Sequence, residues 1–358
     1  MPCPNLKHSL EELRSLERRF KEAYNKAIRG KKEEVASSFL LAQKLKEEIE
    51  EKLGKLKSEL EPIFEKEISL EKQYQSQVEI LTKAGILIDL ENKEKGILGI
   101  DKKPYPIPTL DKIRERLEAN KTTLEKKIKE GFQKLLLVPI GMSLDLMIEK
   151  YRNVILDHHT NNKLFATKKN PTDPDDPLDL DTTTPVWVWD KYKEADKKGE
   201  LVYYPNTFDP KTHGGETKQE LLSHLTLPGW EVILLENLPN IPRQTKGQTR
   251  EGRRELEAGE TPNAYLEKLK KEKPYQNETG LTPEAWLTYA ITHLEEKNEV
   301  VDNFEGHGSI NYNLGAYFPA SGYVPSAFWS RTSRQADLTG RDVSDSVEGC
   351  GVRSSVRV

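Results

Sequence analysis

A seven-residue spacing of apolar side chains at the N-terminus is the feature that most constrains this fold. The stripe is carried by Leu6, Leu13, Phe20 and Ala27 before Gly30, and by Val35, Ala42, Ile49, Leu56, Ile63 and Leu70 after it. Apolar residues at this spacing, with Lys and Glu between them, are typical of coiled-coil helices. Lys46 and Glu67 interrupt the stripe. The pattern therefore predicts helical pairing from Leu6 to about Leu81, but not a perfect parallel zipper.

A second helical arm is predicted after a short β segment. Apolar runs on both sides of a polar turn predict a β-hairpin over residues 86–100, and the prolines that follow bar a helix as far as Thr109. Thr109 is a suitable N-cap for a helix that runs through Leu135. The simplest arrangement is an antiparallel coiled coil over residues 1–169 with the hairpin at its tip. Pairing between chains remains equally open.

The amino-acid composition changes at a segment rich in proline and aspartate. Residues 170–185 read NPTDPDDPLDLDTTTP, which predicts a linker. Beyond it, apolar runs at 186–189, 201–204 and 230–235 predict strands, and Thr261-Pro262 and Thr282-Pro283 are typical helix starts. We therefore expect an α+β fold, with an α+β domain over residues 186–358.

Composition and charge exclude several classes of protein. The net charge is −4, from 55 basic and 59 acidic side chains, which gives no electrostatic case for nucleic acid as a partner. Cys3 and Cys350 lie at opposite ends and predict neither a disulfide framework nor a metal-ligand pair. Because the sequence shows neither a secretory signal nor an apolar run of about 20 residues, we expect a cytoplasmic protein without a membrane span.

Motifs for catalysis are weak, so we expect a protein that is not an enzyme and needs no cofactor or metal. Asp157-His158-His159 resembles the metal-ligand triplet of the DHH phosphoesterases, but it closes a helix with no strand before it. A metal-dependent hydrolase is therefore a remote alternative. A basic cluster fits a solvated loop better than a grip on phosphate; it consists of Arg243, Lys246, Arg250, Arg253 and Arg254. The tryptophans Trp187, Trp189, Trp230 and Trp286 are expected in the core.

The C-terminal segment, called the tail below, carries the most specific sequence motifs in the chain. Phe328-Trp329-Ser330-Arg331, a polar stretch, and then Gly351-Val352-Arg353 with the strand-like residues to Val358 resemble the closing segment of C-type-lectin-fold domains of the formylglycine-generating-enzyme-like branch. Within that branch the segment is similar to the variable proteins of diversity-generating retroelements. The resemblance covers about Trp187 to Val358. It implies a C-type-lectin-like domain whose mutable, ligand-binding segment lies at about residues 321–358.

The genetic mechanism of that family offers a check on the sequence. Mutagenesis there acts on adenines, chiefly in asparagine-type codons, so a mutated position cannot become Trp, Glu, Gln, Lys or Met. Between Tyr323 and Val358 only Trp329, Gln335 and Glu348 belong to this set. Those three positions would then be fixed by the template, and the Ser-, Thr- and Asp-rich remainder is compatible with diversification.

A segment that tolerates many side chains needs fixed residues to hold its fold. We assign this scaffold role to Trp329, Gly351, Val352, Arg353 and Val356. Aromatic anchors among small polar residues are the composition that binding loops favour. The positions predicted to contact a ligand are Tyr323, Ser326, Ala327, Phe328, Thr332, Ser333, Asp337, Thr339, Arg341, Asp342, Ser344, Asp345 and Ser346.

Two functions known in the wider family are not predicted for this chain, because their sequence motifs are missing. The calcium-dependent sugar-binding motifs of true C-type lectins and the reactive cysteine pair of the formylglycine-generating enzymes are both missing from the sequence. The sequence thus predicts a display protein for an unknown protein or other macromolecular ligand, with a homo-oligomer through the coiled coil as a further expectation. The alternative is a structural adaptor that binds its partner through the coiled coil and carries a fixed lectin-fold cap.

Overall fold

The computed structural model divides the chain into two units, Met1–Glu67 and Ile68–Val358. It describes residues 4–29, 32–60, 68–91, 93–165, 178–304 and 308–358. The fold is mixed α+β, as the sequence predicts. The predicted boundary at 170–185 is wrong, because strands on either side of that segment pair with each other in one sheet. Part of that predicted linker, residues 170–177, lies outside the described residues.

The N-terminal unit contains two helices, α1 (Pro4–Arg29) and α2 (Lys32–Leu60). They run antiparallel within one chain, because Glu12 near the start of α1 pairs with Lys52 near the end of α2. Ala23, Ala42 and Leu45 are buried between them, with Leu16 and Phe20 packed alongside. The side chains of three predicted stripe positions, Leu6, Leu56 and Ile63, lie outside the described part of the chain.

The C-terminal unit holds the remaining helices and all of the described strands. The helices are α3 (Leu70–Lys83), α4 (Leu110–Ala119), α5 (Lys121–Lys129), α6 (Leu144–Thr160), α7 (Ala195–Lys198), α8 (Lys218–His224), α9 (Pro262–Lys271) and α10 (Pro283–Lys297). The strands are β1 (Ile88–Asp89), β2 (Lys95–Leu98), β3 (Pro104–Pro106), β4 (Phe132–Val138), β5 (Val186–Val188), β6 (Val202–Tyr203), β7 (Glu216–Thr217), β8 (Glu231–Glu236), β9 (Thr249–Arg250), β10 (Arg253–Arg254), β11 (Thr279–Gly280), β12 (Asn303–Phe304), β13 (Ile310–Tyr312), β14 (Ala316–Tyr317), β15 (Tyr323–Ser330), β16 (Gln335–Asp342), β17 (Cys350–Gly351) and β18 (Ser354–Arg357).

The second arm of the predicted coiled coil is wrong. Helix α5 ends at Lys129, and Gly131, with φ +112°, turns the chain into β4, which pairs antiparallel with β8. The run Phe132–Val138 is almost entirely buried, and a short apolar run of this kind cannot be told from a buried helix by periodicity. The hairpin expected at 86–100 is present as β1 and β2, but β3 extends it into a three-stranded sheet of the C-terminal unit.

Two larger sheets organise the C-terminal unit. One is antiparallel, with strand order β11-β18-β8-β4, and the other has six strands, ordered β17-β13-β15-β16-β5 with β12 beside β15. Helix α10 contacts β4, β15 and α6, and its residues from Pro283 to Leu294 are all buried. Thr282 caps its first turn by accepting a hydrogen bond from the backbone N–H of Ala285 at 3.2 Å. The tail therefore contributes strands to both sheets around one buried helix.

Candidate ligand-binding site

The paired strands β15 and β16 form the frame of the predicted site. Their register runs from Tyr323 opposite Asp342 to Ser330 opposite Gln335, and the turn between them is Arg331–Arg334. Side chains that are directly opposite point to the same side of a sheet, and successive residues alternate between sides. The register therefore decides which tail residues share a face.

One face of this pair belongs to the core. Ala327 and Trp329 on β15 lie opposite Leu338 and Ala336 on β16, and all four side chains are buried. Trp329, to which the sequence analysis assigns a scaffold role, is buried in this core. Ala327, predicted as a ligand contact, is wrong, because it points into this core.

The other face is covered over β15 and open over β16. Phe328 packs in a cluster with Tyr265 of α9 and Tyr312 of β13, and Val343 and Val347 pack against that cluster. Ser326, on the same side of β15, is also buried. The predicted ligand contacts at Ser326 and Phe328 are therefore wrong, because residues distant in sequence cover this part of the sheet.

The same side of β16 remains accessible. Asp337, Thr339 and Arg341 lie on this side and are each half-buried; the first two flank the buried Leu338. Gln335 donates a hydrogen bond from Nε2 to Oδ1 of Asp337 at 2.7 Å. The Nε atom of Arg341 is buried and has no hydrogen-bond partner among the described residues.

Turn and loop residues border this strip at its two ends. Thr332 and Ser333 are exposed in the β15–β16 turn, and Ser344, Asp345 and Ser346 are exposed in the loop after β16. The loop lies on the side of the open strip, because Val343 and Val347 pack on the cluster that contains Phe328. Ser344 donates from Oγ and from its backbone N–H to Oδ1 of Asp342, at 2.6 and 2.9 Å. These hydrogen bonds hold the pKa of Asp342 below its usual value.

Tyr323 lies on the opposite side of the sheet. Its ring is 5.5 Å from that of Trp189, which also contacts Phe318. Gly340 leaves room for this packing, since a Cβ there would lie 2.5 Å from Cζ3 of Trp189. Tyr323 is half-buried, and the structure does not bring it together with the open strip on β16.

Trp187 is a member of the site that the sequence reasoning missed. It pairs in register with Asp337 on the edge strand β5, and 41% of its surface is exposed. Neighbours in register on paired strands share a face, so the indole borders the open strip. The expectation of a core tryptophan is wrong here. The sequence Val186-Trp187-Val188 is apolar throughout and gives no local signal for an outer face.

The remaining scaffold residues are locked by contacts across the unit. Val352 and Val356 are buried, and Arg353 pairs with Asp302 at 2.8 Å and also donates to the carbonyl oxygen of Leu238. A Cβ on Gly351 would lie 2.8 Å from Cγ2 of Ile241, so a larger residue there would force its neighbours apart. Cys350 is buried beside Tyr312, and burial raises the pKa of its thiol.

The chain matches no protein-family model, no curated protein and no solved structure. Among the described helices, none combines the length and the apolar content that crossing a bilayer requires.

The structure does not support a metal site at Asp157-His158-His159. His158 is buried in α6 and donates from Nδ1 to the carbonyl oxygen of Val154 at 2.9 Å. The described residues contain no cluster of three or more His, Cys, Asp or Glu side chains that could hold a metal ion.

The basic cluster does not form one patch. Arg253 is buried and pairs with Glu236 and Glu278 at 2.9 and 2.6 Å. Arg254 pairs with Glu257 at 2.6 Å. Arg243 and Lys246 line a separate cavity of about 790 Å³ together with Glu255 and Glu348, so its lining carries both signs of charge. The predicted solvated loop is wrong for Arg253, because its guanidinium is buried and forms ion pairs with two carboxylates.

Proposed function

We propose that the C-terminal unit is a non-enzymatic display module that binds a protein or other macromolecular ligand through the open side of β16. We call this surface the display face. It consists of Trp187, Asp337, Thr339 and Arg341, bordered by Thr332, Ser333, Ser344, Asp345 and Ser346. Asp342, also predicted as a ligand contact, is paired with Tyr323 and so lies on the other side of the sheet.

One observation carries the proposal. In the first half of β16, the buried residues Ala336 and Leu338 alternate with the half-buried residues Asp337 and Thr339, and the half-buried Arg341 follows on the same side of the strand. Exposed positions between fixed ones are what a surface needs if its side chains are to change without loss of the fold. This arrangement supports the resemblance to the variable proteins of diversity-generating retroelements, and we propose that the display face is diversified in the same way.

The chemistry of the display face favours a macromolecule over a small molecule. Small-molecule sites are concave and mostly apolar. The display face instead offers short polar side chains, an aspartate, an arginine and one exposed tryptophan. Trp and Arg are enriched among the residues that contribute most to protein–protein binding, and short polar side chains adapt their hydrogen bonds to different partners. We therefore expect Trp187 to be a fixed anchor beside variable contacts.

A pair of display libraries tests this proposal. In the first library Asp337, Thr339, Arg341 and the three exposed loop residues from Ser344 to Ser346 are randomised in the full chain. In the matched control library Ala336, Leu338 and Gly340 are randomised. Resistance to protease measures folding, and selection on hen lysozyme as a probe protein measures binding.

We expect most clones of the first library to remain protease-resistant and most control clones to be cleaved. Selected clones should lose lysozyme binding when their residues are restored to those of this chain. The proposal is wrong if the two libraries are equally protease-sensitive, or if the folded clones yield no binder. Either result would favour the adaptor alternative, in which the C-terminal unit is a fixed cap.

A further inference from the structure

A buried lysine lies between two buried carboxylates in the C-terminal unit. Nζ of Lys218, at the start of α8, is 2.8 Å from Oδ2 of Asp196 on α7 and 2.7 Å from Oε1 of Glu284 in the first turn of α10. None of the three side chains is exposed to solvent. Lysine, aspartate and glutamate are rarely buried so completely, and burying them costs free energy even in a pair. This lysine trio is therefore a candidate for chemistry.

The hydrogen bonds of the lysine trio leave two carboxylate oxygens without a partner. Lys218 also donates from Nζ to the carbonyl oxygen of Met142 at 2.8 Å, and Tyr203 donates to Oε1 of Glu284 at 2.7 Å. Oδ1 of Asp196 and Oε2 of Glu284 are buried and accept no hydrogen bond from the described residues. A buried ion pair stabilises a fold only when the remaining oxygens are also hydrogen-bonded, so a structural role alone explains the trio poorly.

The lysine and the aspartate are positioned for attack of an amine on a carboxyl carbon. An amine nitrogen that is hydrogen-bonded to a carboxyl oxygen lies about 3–4 Å from the carboxyl carbon, near the ~3–3.5 Å of a reactive contact. The backbone N–H of Leu144 donates to the same oxygen, Oδ2 of Asp196, at 2.8 Å. It is therefore placed to stabilise the negative charge that this oxygen gains when a nitrogen adds to Cγ.

The amine must lose a proton before it can attack. Burial alone would lower the pKa of Lys218, but the carboxylates of Glu284 and Asp196 outweigh this effect and raise it. The side chain is therefore an ammonium at rest. Oε1 of Glu284, 2.7 Å from Nζ, is within reach to accept the proton.

We propose that Lys218 and Asp196 become joined by an amide bond within the chain, and that Glu284 moves the protons that this step requires. The bond would remove two of the three buried charges, which a water-free interior favours. The interior also holds the two groups in contact, so the step does not require two molecules to meet.

The atoms of this step balance without an oxidant or a reductant. Glu284 takes one proton from the ammonium and passes it to the carboxylate of Asp196, which leaves a neutral amine beside a carboxylic acid. The electron pair on Nζ then forms a bond to Cγ, and the bond between Cγ and Oδ1 breaks. Oδ1 leaves as water, with the proton it had received and a second one that Glu284 carries from Nζ. An amide remains, and Glu284 is a carboxylate again.

The bond would tie α7 to α8 and close a loop over residues 196–218, which contains β6 and β7. A cross-link of this kind stabilises a fold by restricting the unfolded chain, as a disulfide does. An amide is not cleaved by thiols, so this brace would persist where disulfides are reduced. The proposal does not depend on the display proposal.

Mass spectrometry of the purified full chain tests the bond. We expect the denatured chain to be lighter than its sequence by the mass of one water molecule. Trypsin should release a branched peptide in which residues 194–197 are joined to residues 212–243, because the modified Lys218 is no longer cleaved. The natural chain decides this point, since the branched peptide survives denaturation. The proposal is overturned if the natural chain has its full sequence mass and yields no branched peptide.

Variants test the roles of the individual groups. Lys218→Met and Glu284→Gln should both have their full sequence mass. The matched control is Glu231→Gln, which changes another buried carboxylate, paired with Arg357 at 2.9 Å, and should still lose one water.

Far-UV circular dichroism checks that each variant is folded. If Glu284→Gln is not, Glu284→Asp takes its place; it keeps a carboxylate but sets it back from Nζ, so only part of the sample should be cross-linked. Loss of one water in a folded Lys218→Met variant would overturn the proposed bond. Complete cross-linking of a folded Glu284→Gln or Glu284→Asp variant would overturn the role of Glu284.

Discussion

Arg353 illustrates what a single residue contributes to this fold. The sequence places it in the closing motif of the tail, and the structure shows how it is held. Its Nη2 lies 2.8 Å from Oδ1 of Asp302, whose other oxygen accepts from Nε1 of Trp286 at 2.9 Å. The motif predicts that Arg353 is fixed, but no local pattern identifies Asp302 as the counter-charge. Long-range pairs of this kind are decided by the tertiary fold.

Replacing Asp302 by asparagine should destabilise the protein strongly. Asp302→Asn leaves the guanidinium of Arg353 buried without a counter-charge, which costs about 3–5 kcal/mol of the free energy of unfolding. The control is Asp179→Asn, which breaks the exposed pair with Arg334 and should cost less than about 1 kcal/mol. Urea denaturation measures both values. Equal losses in the two variants would contradict the role assigned to Asp302.

At the scale of the secondary-structure element, β16 carries the central residues of the proposed display face. Leu338 is fully buried, whereas its neighbour Thr339 is half-buried on the display face and contributes its backbone carbonyl to Tyr192 at 3.1 Å. A side-chain substitution at Thr339 leaves that backbone hydrogen bond in place.

Truncation of these two neighbours should have unequal effects. Leu338→Ala should lower the free energy of unfolding by about 2–5 kcal/mol, because it leaves a cavity. Thr339→Ala should change it by about 0.5 kcal/mol or less. Denaturant titration of the two variants compares them directly. A loss at Thr339 as large as that at Leu338 would show that the display face is a structural surface.

The elements that local rules govern could be predicted from the sequence. Thr261 and Thr282 cap α9 and α10 as their Thr-Pro starts indicate, and the apolar run at 230–235 becomes β8. The strand β4 could not be predicted, because its identity depends on pairing with β8, about a hundred residues away. The burial of Ser326 and Phe328 could not be predicted for a similar reason. The residues that pack over β15 come from α9 and from the loop after β16.

At the scale of the whole molecule, the tail has two roles. Residues 323–358 supply β15, β16 and β17 to the six-stranded sheet and β18 to the four-stranded sheet, so they form much of the framework of the C-terminal unit. Under the proposed function, side-chain variation in this segment would be restricted to the display face, and the buried residues Trp329, Gly351 and Arg353 would stay fixed.

The DNA beside the gene tests this central claim most directly. The flanking DNA would be sequenced and searched for a near-copy of the bases that encode residues 321–358. The account predicts a near-copy that differs from the gene mainly where the copy has adenine, with the differences in the codons of Thr332, Ser333, Asp337, Thr339, Arg341, Ser344, Asp345 and Ser346. The codons of Trp329, Ala336, Leu338 and Gly351 should be identical in both. A genome without such a copy, or differences concentrated in codons of buried residues, would contradict the claim that this tail displays a diversified binding surface.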